Sequence, residues 1–183
     1  MLKSKYAGIF ILICLFLFVS ALNAASFPST GTTDVYFSPA GGYTEAIVKE
    51  LNNAKSEILV QAYSFTSASI AKALVNAKKR GVIITAVLDR SQRSGKYSSS
   101  YFVANSGIPT FIDARHAIAH NKIIVVDRNV LITGIFNFTK AAEEKNAENL
   151  LILKGNKPLV DAYIRKFGEH NGHSEVYVGL MSK

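Results

Sequence analysis

A histidine and a lysine two residues apart, His120 and Lys122, begin an apolar stretch of the chain. The stretch has the pattern of a β-strand, in which alternate side chains share a face, so both side chains point the same way. An imidazole can attack phosphorus, and a fixed ammonium beside it can stabilise the negative charge that builds on phosphate oxygens. The pair therefore predicts phosphoryl transfer, with His120 as the nucleophile and Lys122 as the phosphate-binding cation.

Three further residues follow the pair at positions that matter for such a site. Asn137 can donate its side-chain amide to the same phosphate, or it can cap the turn that begins at Thr139. Asp127 has the opposite strand parity from Lys122, which predicts a structural role at the turn after the strand. Gly134 is expected where the backbone approaches a neighbour closely or takes an unusual φ angle.

The elements that must hold these residues alternate between strands and helices. Apolar patterning predicts strands at residues 33–37, 57–65, 82–88, 109–113, 122–127, 130–133 and 148–153. Helical spacing predicts helices at residues 43–54, 67–80, 101–106, 139–145 and 158–169. Such alternation indicates an α/β sheet covered by helices. Residues 90–100 interrupt the pattern and are expected to form a mobile basic loop.

The spacing H-x-K-x4-D-x6-G-x-x-N resembles the signature of the phospholipase D superfamily. The surrounding residues, AHNKIIVVDRNVLITGIFNFTKAAEEKNAENLLIL, are similar to the small bacterial endonucleases of the Nuc-like branch. The resemblance implies one domain of the α/β class, with a mixed β-sheet flanked by helices on both faces. It also implies hydrolysis of a phosphodiester through a phosphohistidine, without a metal or other cofactor. The acidic position of the family falls on Glu148, which would hydrogen-bond a catalytic imidazole.

A phosphohistidine mechanism needs a second group that protonates the leaving oxygen and later activates water. Larger members of the superfamily carry the motif twice, whereas this chain carries it once. A two-fold homodimer that brings two His120 side chains to one phosphate is the simplest solution. A monomer that uses His116 as the acid is the alternative, although His116 has no matching lysine.

One position departs from the family, because Ile135 stands where a serine or threonine usually follows the glycine. An isoleucine donates no hydrogen bond to phosphate, and loss of one preorganised donor costs on the order of 10²–10³ in rate. A weakly active nucleic-acid-binding protein is therefore one alternative to an active nuclease. A phospholipase acting at a membrane surface is another, although the sequence lacks an amphipathic segment rich in Trp or Phe.

The formal net charge of +8 favours an anionic partner. The basic residues expected to contact the phosphates that flank the scissile one are Arg90, Arg93, Lys96 and Arg115. Tyr97 or Tyr101 is a candidate for stacking on unpaired bases. We expect a non-specific endonuclease that cuts DNA, with RNA as a second candidate substrate.

Two further histidines, His170 and His173, are three residues apart near the end of the last predicted helix. They could share one helix face as metal ligands, but neither a cysteine nor an obvious carboxylate cluster completes such a site. A solvated end of the helix is the preferred interpretation, and no metal site is predicted.

The N-terminus has the pattern of a secretory signal peptide, with Lys3 and Lys5 before an apolar run from Ile9 to Leu22 and small residues after it. We expect a signal peptide over residues 1–24, a linker over 25–32 and a phospholipase D-like nuclease domain over 33–183. The protein would then be exported, to the periplasm or the medium. An uncleaved inner-membrane anchor formed by residues 9–22 is the alternative, and membrane contact is expected only in that case.

Overall fold

The computed structural model describes residues 24–94 and 98–179 of the chain. The strands in these ranges are β1 (Thr32–Phe37), β2 (Glu57–Ala62), β3 (Ile83–Asp89), β4 (Thr110–Asp113), β5 (Lys122–Val126), β6 (Val130–Gly134), β7 (Asn149–Lys154) and β8 (Glu175–Val176). The helices are α1 (Tyr43–Asn53), α2 (Ala68–Lys79), α3 (Ser100–Asn105), α4 (Lys140–Glu144) and α5 (Lys157–His173). The predicted signal segment, except its last residue, lies outside the described residues, as do Lys96 and Tyr97.

The strands form one mixed sheet in the order β1-β7-β6-β5-β2-β3-β4-β8. The neighbours β2, β3 and β4 are parallel, because helices connect them by crossovers, and the other neighbouring pairs are antiparallel. The hairpin of β5 and β6 turns at Asp127 and Arg128, which both have positive φ angles, of 51° and 52°. The predicted pairing of these two strands is confirmed.

Side chains that alternate along the central strands fill two separate cores. Ile58 and Val60 of β2 face a large core with α1 and α2, whereas Leu59 faces a smaller core with α5. Helix α5 contributes the buried Phe167 to the smaller core, and its Tyr163 packs against that core. Helices therefore cover both faces of the sheet, and the predicted α/β class is confirmed. Because both faces are buried, the strands read as nearly continuous apolar runs.

The ends of six strands meet at one edge of the sheet. The parallel strands β2, β3 and β4 finish there, while antiparallel β5 begins there, with Lys122 paired to Ala62. Strand β6 finishes at the same edge and β7 begins there, with Gly134 paired to Leu150. We call this edge, formed by Ala62, Asp89, Asp113, Lys122 and Gly134, the site edge.

Helix α5 extends further than predicted, and the structure contains one strand that was not predicted. Helix α5 continues to His173 instead of ending at residue 169, although its apolar period finishes with Phe167. The two-residue strand β8, which pairs with β4, is too short to leave a period in the sequence. Within residues 24–94 and 98–179, no helix is long and apolar enough to cross a membrane.

The expected mobile loop at residues 90–100 is in part ordered. Residues Arg90–Arg93 form a single 3₁₀ turn. The carboxylate of Asp89 accepts from the backbone N–H of Ser91 at 2.9 Å, and Gln92 is buried. The Asp89 cap and the buried Gln92 explain why this turn is ordered. Each provides hydrogen-bond partners within the protein for polar groups that would be bonded to water in a mobile loop.

Candidate active site

His120 and Lys122 are in direct contact at the site edge. The Nζ atom of Lys122 lies 2.9 Å from Nδ1 of His120 and 3.0 Å from its carbonyl oxygen. His120 is exposed, whereas Lys122 is only 5% exposed. The structure thus places an accessible imidazole against a buried ammonium group.

The environment of Lys122 suits a group that binds an anion. Burial lowers the pKa of Lys122, and the nearby negative charge of Glu148 raises it in part. A desolvated ammonium interacts more strongly with a phosphate oxygen than an exposed one, because the local dielectric constant is lower. Lys122 is therefore well suited to bind a non-bridging oxygen of a phosphodiester.

Two residues that the sequence reasoning did not select also position His120. The ring of Tyr63 lies 4.5 Å from the imidazole of His120, centroid to centroid, and 5.3 Å from Nζ of Lys122. The buried carboxylate of Asp89 accepts from the backbone N–H of Ala119 at 2.8 Å. Tyr63 directly follows β2 and Asp89 ends β3. The rule that sites gather at the carboxyl ends of parallel strands could have found both.

Asn137 is held at the site edge through its backbone. Its N–H donates to Oε2 of Glu148 at 3.0 Å. Its side-chain Oδ1 is buried and has no hydrogen-bond partner among the described residues. Helix α4 is capped by Thr139, whose Oγ1 accepts from the N–H of Ala142 at 3.1 Å. The capping alternative for Asn137 is therefore wrong.

Glu148 has partners other than the expected imidazole. Besides the N–H of Asn137, its carboxylate accepts from Nδ2 of Asn146 at 2.6 Å. Among the described residues, the hydrogen-bond partner of the His120 imidazole is Lys122. Glu148 therefore orients the backbone of Asn137 and contributes charge near Lys122.

Gly134 occupies a position that other residues cannot take without strain. Its φ angle is +149°, and a Cβ atom there would lie 2.4 Å from the carbonyl oxygen of Asn149. The predicted close approach and unusual φ angle are both confirmed. The next residue, Ile135, is 57% exposed, so its side chain lies on the surface at the site edge.

Asp127 follows the last residue of β5, at the opposite edge of the sheet, and has the structural role that was predicted for it. Its carboxylate accepts hydrogen bonds from the backbone N–H groups of Lys55, Ser56 and Glu57 and from the Ser56 hydroxyl, at 2.8–3.2 Å. Burial raises the pKa of Asp127, but these hydrogen bonds lower it further, so the net shift is downward. The motif aspartate therefore fixes the turn that precedes β2.

The predicted phosphate-contacting residues are not equivalent in the structure. Arg90 and Arg115 are exposed near the site edge. Arg93 forms an ion pair with Glu175 of β8, so its charge is partly neutralised. Lys96 lies outside the described residues, so its role stays a prediction.

The remaining histidines gather around Asp113 at the end of β4. Nδ1 of His170 lies 2.7 Å from Asp113 Oδ2, Nδ1 of His116 lies 3.1 Å from the same oxygen, and Nε2 of His173 lies 3.2 Å from Oδ1. His170 is buried, so the prediction of a solvated helix end is wrong. Burial raises the pKa of Asp113, but its contacts with the three imidazoles and a hydrogen bond from the Arg115 backbone lower it to about 2.

Comparisons with known proteins agree with this fold and site. A family model described as "Cardiolipin synthase, PLD-like domain" matches residues 47–171. A protein named Phospholipase D from Rickettsia typhi is 38% identical over 141 residues, which are 77% of this chain and 69% of that protein.

Two solved structures share the architecture. The phospholipase D family member Nuc from Salmonella typhimurium has a TM-score of 0.78 at 37% identity, covering 81% of this chain and 99% of that chain. NucT from Helicobacter pylori has a TM-score of 0.74 at 16% identity, covering 81% and 100%, and shows likeness in fold.

The mixed sheet and the histidine–lysine pair at its edge define a phosphodiesterase of the phospholipase D class. The chain belongs to the phospholipase D superfamily. Within it, the chain falls in the Nuc-like branch.

Proposed function

We propose that this phosphodiesterase is a non-specific endonuclease that cuts DNA through a phosphohistidine formed on His120. The observation that carries the proposal is the 2.9 Å contact between the exposed imidazole of His120 and the buried ammonium of Lys122. Such a pair supplies a nucleophile and a phosphate-binding cation at one point of the surface. No metal takes part in the proposed steps.

The reaction has two displacements at phosphorus. In the first, Nε2 of one His120 forms a bond to phosphorus, and the bond to the leaving ester oxygen breaks as that oxygen takes a proton from a second, protonated imidazole, which becomes neutral. In the second, a water molecule gives a proton to the second imidazole and its oxygen bonds to phosphorus, while the phosphorus–nitrogen bond breaks. Each imidazole ends the cycle in its starting form.

The second imidazole in this proposal is His120 of another copy of the chain. Exposed apolar side chains surround the site edge, with Ile118 58% and Ile135 57% exposed. Exposed apolar groups beside an exposed catalytic residue suit a contact between subunits. A two-fold axis through this edge would bring two His120 and two Lys122 side chains to one phosphate.

The two imidazoles need different protonation states, and Lys122 acts on the attacking one. The ring that protonates the leaving oxygen is an imidazolium, with a proton on both nitrogens. When Lys122 donates to Nδ1 of a neutral His120, the ring proton is on Nε2, and no lone pair is available there. The attacking ring needs a lone pair at Nε2 and carries its proton on Nδ1. A phosphate oxygen that draws Lys122 away from Nδ1 favours this second form.

The charges around the site edge favour a nucleic acid as the substrate. Arg115 lies on a cleft of about 530 Å³, and it is five residues before His120 in the chain. Side chains of this kind bind the phosphates on either side of a scissile bond, without reading the bases. RNA presents the same phosphates and is the second candidate.

A phospholipase is the second candidate function. Relatives from Rickettsia typhi and Homo sapiens are named Phospholipase D and Mitochondrial cardiolipin hydrolase, the latter 29% identical over 123 residues. A phosphodiester bonded to a lipid would meet the same histidine and lysine. A nucleic acid and a lipid differ in the groups bonded to the phosphate, and not in the phosphodiester that the histidine would attack.

The deciding experiment incubates the full chain with supercoiled plasmid DNA in EDTA and, separately, with vesicles that contain cardiolipin. We expect the plasmid to be nicked and then fragmented, with no activity from His120→Ala. Release of phosphatidic acid without DNA cleavage would replace the nuclease by a phospholipase. Retention of DNA without cleavage of either substrate would indicate a binding protein.

A further inference from the structure

A cluster of four metal-ligating side chains lies beside the active site and takes no part in the proposed reaction. Asp113 ends β4, His116 follows it in the next segment, and His170 and His173 stand one turn apart at the end of α5. One ligand atom from each lies within 4.8 Å of the other three. Three separate parts of the chain therefore converge on one point.

The spacing of these atoms is close to that of a tetrahedral metal site. Bonds of about 2.05 Å from zinc to its ligands place neighbouring ligand atoms about 3.3 Å apart. The distances from the Asp113 oxygens to the nitrogens of His170, His116 and His173 are 2.7, 3.1 and 3.2 Å.

The polar atoms of the cluster are not all satisfied by each other. Nε2 of His173 is sealed from solvent and has no hydrogen-bond partner among the described residues, although it lies 3.2 Å from Oδ1 of Asp113. Its direction therefore does not suit a hydrogen bond to that oxygen. A buried nitrogen of this kind needs a partner, and a metal ion supplies one along the lone pair.

The buried carboxylate adds a second reason. Asp113 is completely buried, and its carboxylate accepts from the Arg115 N–H and lies within hydrogen-bond distance of the imidazoles of His116 and His170. A buried carboxylate requires compensation by a cation or by hydrogen bonds of good geometry. A divalent ion bound to one carboxylate and three neutral imidazoles would carry a net charge of about +1.

We propose that Asp113, His116, His170 and His173 bind one zinc ion in a tetrahedral site. Imidazole nitrogens with one carboxylate oxygen suit zinc, whereas magnesium and calcium take sets made of oxygen atoms. The 530 Å³ cleft lined by His116, His170 and His173 gives the ion a path from solvent. The four ligands fill the coordination sphere, so the role of the ion is structural.

The ion would crosslink the end of α5 to β4 and to the segment that precedes His120. His116 and His120 are four residues apart, and Asp89 holds the backbone of Ala119 between them. A fixed His116 therefore restricts the segment before His120. The site does not depend on the proposed nuclease activity, because its ligands are separate from the reacting residues.

The test measures zinc in the full chain purified without a polyhistidine tag. We expect close to one equivalent of zinc after dialysis, and a higher unfolding temperature with zinc than with EDTA. His170→Gln and His173→Gln should weaken zinc binding at least about 10-fold in calorimetric titration, because each removes one ligand. Cobalt substitution should give the visible spectrum of a tetrahedral site in the unmodified chain.

The matched control is His120→Gln, which removes a histidine from the same edge but not from the cluster. It should retain its zinc, whatever it does to DNA cleavage. Equal zinc binding by the unmodified chain and His173→Gln would overturn the proposal, as would a lack of zinc binding by the folded unmodified chain. Loss of zinc in His120→Gln alone would indicate that the metal binds at the active site, and it would also contradict the metal-free reaction.

Discussion

Lys122 Nζ lies 2.9 Å from Nδ1 of His120, and this contact joins phosphate binding to the protonation of the imidazole. The lysine is buried at the start of β5, and the histidine projects into solvent two residues earlier. Because one ammonium group can donate to the ring or to a phosphate oxygen, arrival of the substrate changes which ring nitrogen has a free lone pair.

The first prediction concerns Lys122→Met, which keeps the length of the side chain and removes its charge. We expect the rate of plasmid cleavage to fall on the order of 10²–10³-fold, because a preorganised donor to the transition state is lost. The control is Lys140→Met, since Lys140 is exposed and forms an ion pair with Glu144 on its own helix. An unchanged rate in Lys122→Met would remove the lysine from the mechanism.

The second prediction concerns the composite site of a homodimer. Unmodified chains and His120→Ala chains are unfolded together and refolded in different proportions. If one phosphate needs two His120 side chains, activity follows the square of the unmodified fraction, so an equal mixture retains about one quarter. A monomer that works alone would retain about one half, and that result would contradict the shared site.

The third prediction concerns Ile135, which is exposed at the site edge where the family usually has a hydroxyl group. Ile135→Ser should raise the rate of cleavage, by up to about 10²-fold, because it restores a donor for the phosphate. Ile135→Ala is the matched control, since it removes the same apolar surface without adding a hydroxyl. Equal rates in the two variants would show that the donor has no effect.

The fourth prediction concerns the pH dependence of stability through Asp127. Hydrogen bonds hold its pKa below the ordinary value despite burial, so its stabilising effect is complete above about pH 4 and is lost as the pH falls through the folded-state pKa. Asp127→Asn should lower the free energy of unfolding by about 1–3 kcal/mol at pH 7. The difference from the unmodified chain should shrink in acid, as measured by urea unfolding at several pH values. A difference that stays constant down to pH 2 would contradict this account.

The fifth prediction separates the reaction from the zinc site. Cleavage of DNA in a short assay should proceed in EDTA, because the two imidazoles and Lys122 carry out both displacements. Long incubation with EDTA should lower the unfolding temperature through loss of zinc. Activity lost at once in EDTA and restored by magnesium would overturn the metal-free reaction.

The sequence could predict the core of the site because its parts are close together in the chain. Lys122, Asp127 and Gly134 lie on one hairpin and His120 comes two residues before it, so strand parity and turn position are enough to assign their directions. The α/β class was accessible for a similar reason, since buried strands and amphipathic helices alternate with clear periods.

Other parts of the site depend on contacts between distant segments. Asp113 and His170 are 57 residues apart, and no pattern in the sequence joins a strand end to the last turn of α5. The partners of Glu148 depend on how the segment between β6 and β7 folds back. Tyr63 and Asp89 are isolated polar residues after apolar runs, and their place in the site can be recognised only from the arrangement of the parallel strands.

Strand β5 extends from Lys122 at the site edge to Val126, and Asp127 follows it at the other edge. The five-residue step from the lysine to the aspartate of the signature therefore crosses the sheet along the strand direction, a distance of about 17 Å at 3.4 Å per residue. An insertion or deletion of one residue there would turn the following side chains to the opposite face. Apolar residues in this interval can replace one another, but a change in their number would move Lys122 out of register with the turn that Asp127 fixes.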